Sequence, residues 1–354
     1  MMLPFECDYS NGAHPLVLQH LVETNAEPSL TYGFDRWSDT AKEKIRQACQ
    51  APQLEIFFLQ GGTQANAVAI DSLIRSHEGV VCADTGHINV HEAGAIEANG
   101  HRVIGIQNNL GKLSACDLEA YMQAFLQDES RDHVAQPGMV YITFPTELGT
   151  CYNAAEITAL YDVCRKHGLP LFIDGARLAY GLAASSDIDL PWLVQHCDAF
   201  TIGGTKCGAL CGEAVVFTNH TVPAPRGFFS NVKRHGALSA KGRLAGVQFD
   251  TLFSKAPSTG NLLYLEIGKH AISMAERLKQ LLQEAGLAFF IPSDTNQQFV
   301  IIPNEQVKLL EQNVCFTHWQ PYDNRQMVCR FVTSWSTTDS DMLLLEKQLQ
   351  RLRA

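Results

Sequence analysis

Short apolar runs alternate along the chain with stretches whose apolar residues recur every three to four positions. Runs of four to eight β-branched and aromatic residues favour strands. A three-to-four spacing instead puts the apolar side chains on one face of a helix. The pattern predicts strands over 54–59, 79–83, 102–106, 139–143, 171–173, 199–202 and 214–217, the fifth leading directly into Asp174. It predicts helices over 63–76, 115–127 and 154–167. Strands separated by helices imply a mainly parallel central sheet with helices on both faces, in which ligands sit beyond the carboxyl ends of the strands. After about residue 245 the rhythm changes. A long helix over 262–285 is followed by a strand over 298–302, a helix over 305–312, a strand over 327–333 and a terminal helix near 339–352. The expected division is a large α/β domain over 1–245, including the N-terminal segment, and a small C-terminal α+β domain over 246–354. No Pro/Gly/Ser-rich linker separates them, so the two parts are expected to share an interface.

Composition narrows the class of function. Hydrophobic residues make up 46% and charged residues 18%, the balance of a globular chain with a sizeable core. With 27 basic and 37 acidic residues the formal charge is −10, which argues against a general nucleic-acid or anionic-membrane surface. The 11 cysteines are an odd number and include no C-x-x-C pair, so they read as free thiols in a reducing compartment. The opening MMLPFECDYS lacks a basic segment followed by an apolar one, and no apolar run approaches the ~20 residues of a membrane helix. A soluble, cytoplasmic protein is expected.

Four local features carry candidate chemistry. Gln60-Gly61-Gly62-Thr63 lies between a strand and a helix. It reads either as a plain glycine turn or as a phosphate cup, built from free helix amides and the Thr63 hydroxyl. In Phe172-Ile173-Asp174-Gly175-Ala176-Arg177 a strand delivers a carboxylate, then a glycine turn, then a cation. Asp174 reads as a helix cap, or as the partner that keeps a pyridine nitrogen protonated and makes the ring an electron sink. In Phe200-Thr201-Ile202-Gly203-Gly204-Thr205-Lys206 another strand ends in glycines and a lysine. Alone, Lys206 reads as a solvated charge. Together with Asp174 it reads as a Schiff-base lysine, whose amine is helped towards neutrality by burial. In Asp84-Thr85-Gly86-His87-Ile88-Asn89-Val90-His91-Glu92, His87 reads as a ring that stacks on a cofactor, as an ordinary histidine, or, with His91 and Glu92, as part of a metal site. The segment is not H-E-x-x-H, Ala95 standing where a second histidine would be needed, so no metal is expected.

Together these residues resemble the threonine aldolase and β-eliminating lyase family, pyridoxal-phosphate (PLP) enzymes of the aspartate-aminotransferase-like fold. The likeness also runs through Tyr32-Gly33-x-Asp35, Gly62-Thr63-Gln64-Ala65-Asn66, Glu92-x-Gly94-Ala95 and Arg330-Phe331-Val332-Thr333-Ser334-Trp335, and so spans nearly the whole chain. The resemblance implies a PLP fold of type I and a role for each matched residue. Lys206 would hold the cofactor as a Schiff base, Asp174 its pyridine nitrogen, Gly62 and Thr63 its phosphate, and His87 would stack on its ring. Arg177 and Arg330 would hold the substrate carboxylate. Tyr32, Lys233-Arg234, Lys241 and Arg243 would lie near the phosphate, from the same or a neighbouring subunit of a dimer or tetramer. The chain departs from the family at Cys7, where a substrate-contacting serine is common, at Cys207 after the lysine, and at Ala240-Lys241-Gly242.

The activity implied is aldol cleavage of L-threonine, L-allo-threonine or related β-hydroxy amino acids to glycine and an aldehyde. His87 is the first candidate for the group that accepts the hydroxyl proton, and His91 or Glu92 the next. The same cofactor chemistry would also serve β-elimination or racemisation, begun by Lys206 at Cα–H. A PLP-binding protein without turnover is the reading from a different class, and an intact Lys206, Asp174 and pair of arginines speak against it.

Overall fold

The computed structural model describes residues 2–352. Its centre is a seven-stranded sheet in the order Glu55–Leu59, Glu213–Phe217, Ala199–Gly203, Leu171–Asp174, Gln136–Thr143, Glu78–Ala83 and Arg102–Ile106. Every pairing is parallel except those of Glu213–Phe217, which runs antiparallel to both neighbours. The inner strands are buried along most of their length, and their sequences are correspondingly near-continuous apolar runs. Two apolar cores cover the sheet. One includes Ile142, Ile173 and Phe200 with the helix Ala154–His167, and the other includes Tyr141, Phe172 and Val215 with the helix Gly62–Leu73. This is the mainly parallel, two-faced sheet expected of the sequence.

Local signals explain why several helices end where they were expected to. Ser114 caps Ala115–Gln127 by accepting the Asp117 amide. Asn153 and Glu156 form a capping box at the start of Ala154–His167, and Gly168 ends that helix at φ 68°. Thr338 and Asp341 make a second capping box before Asp339–Gln350.

A second sheet lies towards the C-terminus, in the order Thr317–Pro321, Gln326–Val332, Gln297–Pro303 and Ala288–Phe289. The long helix Leu263–Glu284 joins the two parts of the molecule. At Gly268 it passes so close to the helix Leu178–Ala184 that an added Cβ would lie 2.2 Å from the Ala179 carbonyl oxygen. Its later residues Leu278, Leu281 and Leu282 pack under the second sheet. Two findings bear on the expected division at 245/246. That point falls inside the helix Arg243–Leu252. The N-terminal segment touches both parts: Leu3–Pro4 pairs in parallel with Val314–Cys315 and Phe5 joins the core beneath the second sheet, while Val17 packs in the core of the central sheet. No helix among the described residues is long and apolar enough to cross a membrane.

Candidate active site

The expected cofactor residues meet at the carboxyl ends of the central strands. One pocket is lined by Gly62, Asn66, His87, Thr143, Pro145, Glu147, Asp174, Ala176, Arg177 and Lys206. Glycines let the strand ends come together. A Cβ on Gly175 would lie 2.1 Å from the Thr201 carbonyl oxygen, so only glycine lets the turn after Asp174 pack against the strand leading to Lys206.

Asp174 is buried and fully engaged. Its Oδ2 accepts hydrogen bonds from Tyr141 Oη at 2.7 Å and Asn66 Nδ2 at 2.8 Å. Its Oδ1 accepts from the Ala176 amide at 2.9 Å and Thr201 Oγ1 at 3.3 Å. Burial alone would push this carboxyl up. The His87 imidazole, the hydrogen bonds from Tyr141 and Asn66, and the Lys206 charge outweigh it and hold Asp174 below the usual carboxylate range. It is therefore ionised and able to face a cationic nitrogen.

Lys206 follows Ala199–Gly203, and Tyr180 donates a hydrogen bond to its carbonyl oxygen at 2.5 Å. Burial, helped by Arg177, pushes its ammonium below the ordinary lysine value, against the opposing charges of Asp8, Asp174 and Glu213. That favours the neutral, nucleophilic amine.

The helix Gly62–Leu73 opens without a side-chain cap, and Cβ atoms added at Gly61 or Gly62 would meet only open space. Its first-turn amides are thus free to receive an anion. Gly62 lines the pocket, and Thr63 is exposed in the same turn. A buried carboxylate, a deprotonation-prone amine and an open helix N-terminus are together a donor set that fits a phosphorylated pyridine aldehyde.

His87 begins a short helix, His87–Val90. Its Nδ1 pairs with Glu92 Oε1 at 2.7 Å, and its amide donates to Glu147 Oε1 at 2.9 Å. Asn66 Nδ2 reaches the same Glu92 oxygen at 2.8 Å, so Glu92 serves as an anchor behind the imidazole. Among the described residues no three His, Cys, Asp or Glu side chains are grouped to hold a metal.

The two candidate carboxylate arginines differ. Arg177 is committed to Asp8, through Nε to Oδ2 at 2.7 Å and Nη2 to Oδ1 at 3.0 Å. Arg330 donates to Gln297 Oε1 at 3.2 Å and Thr317 Oγ1 at 3.1 Å, and its guanidinium lies 5.3 Å from the centre of the Trp319 ring. Its Nε is buried without a partner. Cys7 is half-buried between Asp8 and Glu6, whose carbonyl oxygen faces Arg330 Nη2 at 3.5 Å. His91 stands near both groups: its ring is 5.5 Å from His87 and 5.9 Å from Trp319.

Tyr32, Lys241 and Arg243 are not brought into this pocket by their own chain. Tyr32 lines another hollow with Phe34, Lys42 and Phe229, and Lys233 lies over its ring at 5.2 Å. Lys241 and Arg243 line a third hollow. Arg243 is occupied there, stacking on Trp37 at 4.1 Å and donating to the carbonyl oxygens of Thr24 and Glu27.

Asn66, Tyr141, Asp8 and Glu147 were given no role by the sequence reading. Glu147 had a usable signal: it sits just beyond Gln136–Thr143, in the zone where strand ends present ligand-binding groups.

The family model described as "Beta-eliminating lyase" matches residues 18–305. A low specificity L-threonine aldolase of Pseudomonas aeruginosa is 30% identical over 342 residues, covering 94% of this chain and 93% of that protein. A second, from a Pseudomonas species, is 28% identical and covers 95% and 94%. Among solved structures, a Leishmania major threonine aldolase superposes with a TM-score of 0.92 at 34% identity over 99% of both chains. The serine palmitoyltransferase of Sphingomonas wittichii shares the fold alone, with a TM-score of 0.72 at 13% identity.

Proposed function

Because the chain belongs to the β-eliminating lyase family, we propose that it is a PLP-dependent carbon–carbon lyase. It would cleave L-threonine, L-allo-threonine and related β-hydroxy amino acids to glycine and an aldehyde. The observation that carries this reading is the convergence of the Lys206 amine, the ionised Asp174 and the open N-terminus of Gly62–Leu73 on one pocket.

When bound, the cofactor supplies an electron sink for the pair left on Cα as the Cα–Cβ bond breaks. Lys206 would hold it through its amine. Asp174 would keep a proton on the pyridine nitrogen, its position fixed by Tyr141 and Asn66. Gly62 and Thr63 would take the phosphate on their amides. His87 would lie against the ring, with Glu92 fixing its orientation and His91 beside it. Arg330 would bind the substrate carboxylate through its guanidinium. Arg177, tied to Asp8, would shape the same wall with Cys7 at its edge.

Tyr32, Lys241 and Arg243 would reach a phosphate only from a neighbouring copy, so the working unit would be a homo-oligomer with shared sites. The C-terminal part, with the second sheet, would bring Arg330 to the part that holds the cofactor. Eleven free cysteines suit a reducing compartment such as the cytoplasm.

The reading is tested by incubating the PLP-loaded protein with L-threonine, L-allo-threonine, L-phenylserine and L-serine, then assaying glycine, aldehyde, ammonia and keto acid. Glycine with aldehyde is expected. Ammonia with keto acid would replace the aldolase by an eliminating lyase, and turnover of none would leave a PLP-binding protein without catalysis.

A further inference from the structure

Two buried carboxylates line the pocket, and their surroundings differ. They come from adjacent strands, Gln136–Thr143 and Leu171–Asp174, which pair so that Thr143 lies opposite Asp174. Asp174 accepts four hydrogen bonds. Glu147, four residues past Thr143, accepts the His87 amide at 2.9 Å on Oε1 and Thr143 Oγ1 at 3.0 Å on Oε2. Both of these donors are neutral and both hold the carboxyl in the pocket wall. The titratable groups around it are His87, Asp174, Cys82, Tyr141 and Tyr152.

We propose that Glu147 is the catalytic residue that takes the proton from the substrate's β-hydroxyl as the carbon–carbon bond breaks. This rests on the lyase reading above. His87, the first candidate from sequence, is paired at Nδ1 with Glu92, which fixes its ring for the place against the cofactor assigned to it above. Glu92 stands behind that ring and is shared with Asn66. Glu147 lines the pocket itself.

In the step, the hydroxyl proton passes to a Glu147 carboxylate oxygen, and the O–H electron pair becomes the second bond of the aldehyde carbonyl. The Cα–Cβ bond breaks with its pair remaining at Cα. Protonation at Cα gives glycine, and Glu147 returns its proton to solvent. Threonine is thereby divided into glycine and acetaldehyde with no other reactant.

Burial pushes the Glu147 carboxyl up to about 7, whereas Asp174 is held low. Two neighbouring carboxylates with separated affinities suit separate tasks, one permanently charged and one exchanging protons near neutrality. Glu147 accepts a proton only when ionised, so kcat/KM for cleavage should rise as pH increases through about 7 and then level off.

The test is Glu147→Gln in the PLP-loaded enzyme, with three readouts. Aldehyde release from L-threonine should fall about 100- to 10,000-fold, the usual span for losing a general base. Exchange of the glycine α-proton with deuterated solvent involves no hydroxyl, and should stay within about three-fold of wild type. In the cofactor-free protein, where burial brings both Glu147 and Glu213 to about 7, the infrared carboxyl signal that titrates near neutrality should lose the Glu147 share and keep that of Glu213. Glu147→Asp should restore part of the cleavage. The proposal is overturned if Glu147→Gln cleaves within about three-fold of wild type, loses cleavage and exchange equally, or keeps the acid limb of the pH profile. If wild type cleaves normally and Glu147→Gln does too, only this proposal falls. If wild type releases no aldehyde from any β-hydroxy amino acid, the lyase reading falls and takes this one with it.

Discussion

Arg177 and Asp8 lie 169 residues apart in the chain and meet through two hydrogen bonds of 2.7 and 3.0 Å. Asn296 Nδ2 adds a third contact to Asp8 at 2.9 Å. Asp8 is buried, and its burial cost is outweighed by Arg177, Lys206 and Asn296, so the carboxyl sits below its ordinary range. The pair ties the N-terminal segment to the turn after Asp174, whereas Arg330 has no carboxylate partner and is held by Gln297 and Thr317.

Arg330 and Arg177 should therefore fail in different ways. Truncating one partner of a buried charge pair costs about 2–5 kcal/mol, so Arg330→Ala should lower kcat/KM by about 30-fold to several-thousand-fold. Its thermal stability should change little, and Arg330→Lys should recover only part of the loss. Arg177→Ala strands the Asp8 carboxylate and should cost about 3–5 kcal/mol of stability, seen as a clear drop in Tm. Full kcat/KM in Arg330→Ala would move the substrate carboxylate elsewhere.

Borohydride reduction of the PLP-loaded protein should fix the cofactor to Lys206, as read by peptide mapping. Label on Lys233 or Lys241 instead would remove Lys206 from its role. Lys206→Ala should retain PLP through the phosphate cup yet take no covalent label.

Asp174→Asn should fold, because an amide oxygen can still accept from Tyr141 or Asn66. It cannot supply the negative charge that faces a pyridinium. The loss should fall on kcat more than on KM, since the electron sink matters most in the transition state. Near-wild-type turnover would reduce Asp174 to a structural cap.

Away from the pocket, Asp71 accepts from His101 Nε2 at 3.1 Å and His235 Nε2 at 2.9 Å, and also pairs with Arg234. Burial raises its carboxyl, but the bonds from His235 and His101, with Arg234, outweigh this and leave it depressed. A depressed carboxylate stabilises the fold above its unfolded value of about 3.9, and that contribution is lost as pH falls through the lower folded value. Asp71→Asn should therefore lose about 1–2 kcal/mol near neutral pH. The gap from wild type should close in acid, and Tm scans across pH check both statements.

The seven central strands were legible because each is a compact apolar run bounded by turn residues. The helices Ala115–Gln127 and Ala154–His167 were legible to the residue because their caps are written locally. Strand order was not. Nothing within Glu213–Phe217 says that it runs against both neighbours. Thr317–Pro321 escaped notice because THWQP has no apolar alternation. The helices Pro15–Thr24, Arg36–Ala48 and Arg243–Leu252 were not anticipated either. In the pocket, Asp174, Lys206 and Gly62 stood on glycine-marked strand ends, which made them visible. Asp8, Asn66 and Glu147 owe their places to partners 169, 108 and 60 residues away, and no window of sequence spans those distances.

The near-contact at Gly268 makes Leu263–Glu284 a cantilever. Its root is pinned two residues beyond Arg177, at Ala179, and its free arm supports the plate that carries Arg330. Thr333 Oγ1 clips that plate to the arm through the Ala271 carbonyl at 2.8 Å. At about 1.5 Å per residue the arm from Gly268 to Glu284 is roughly 24 Å long, so a small tilt at the root is magnified at its tip. The distance between Lys206 and Arg330 would then depend on how tightly two backbones touch at a position with no side chain.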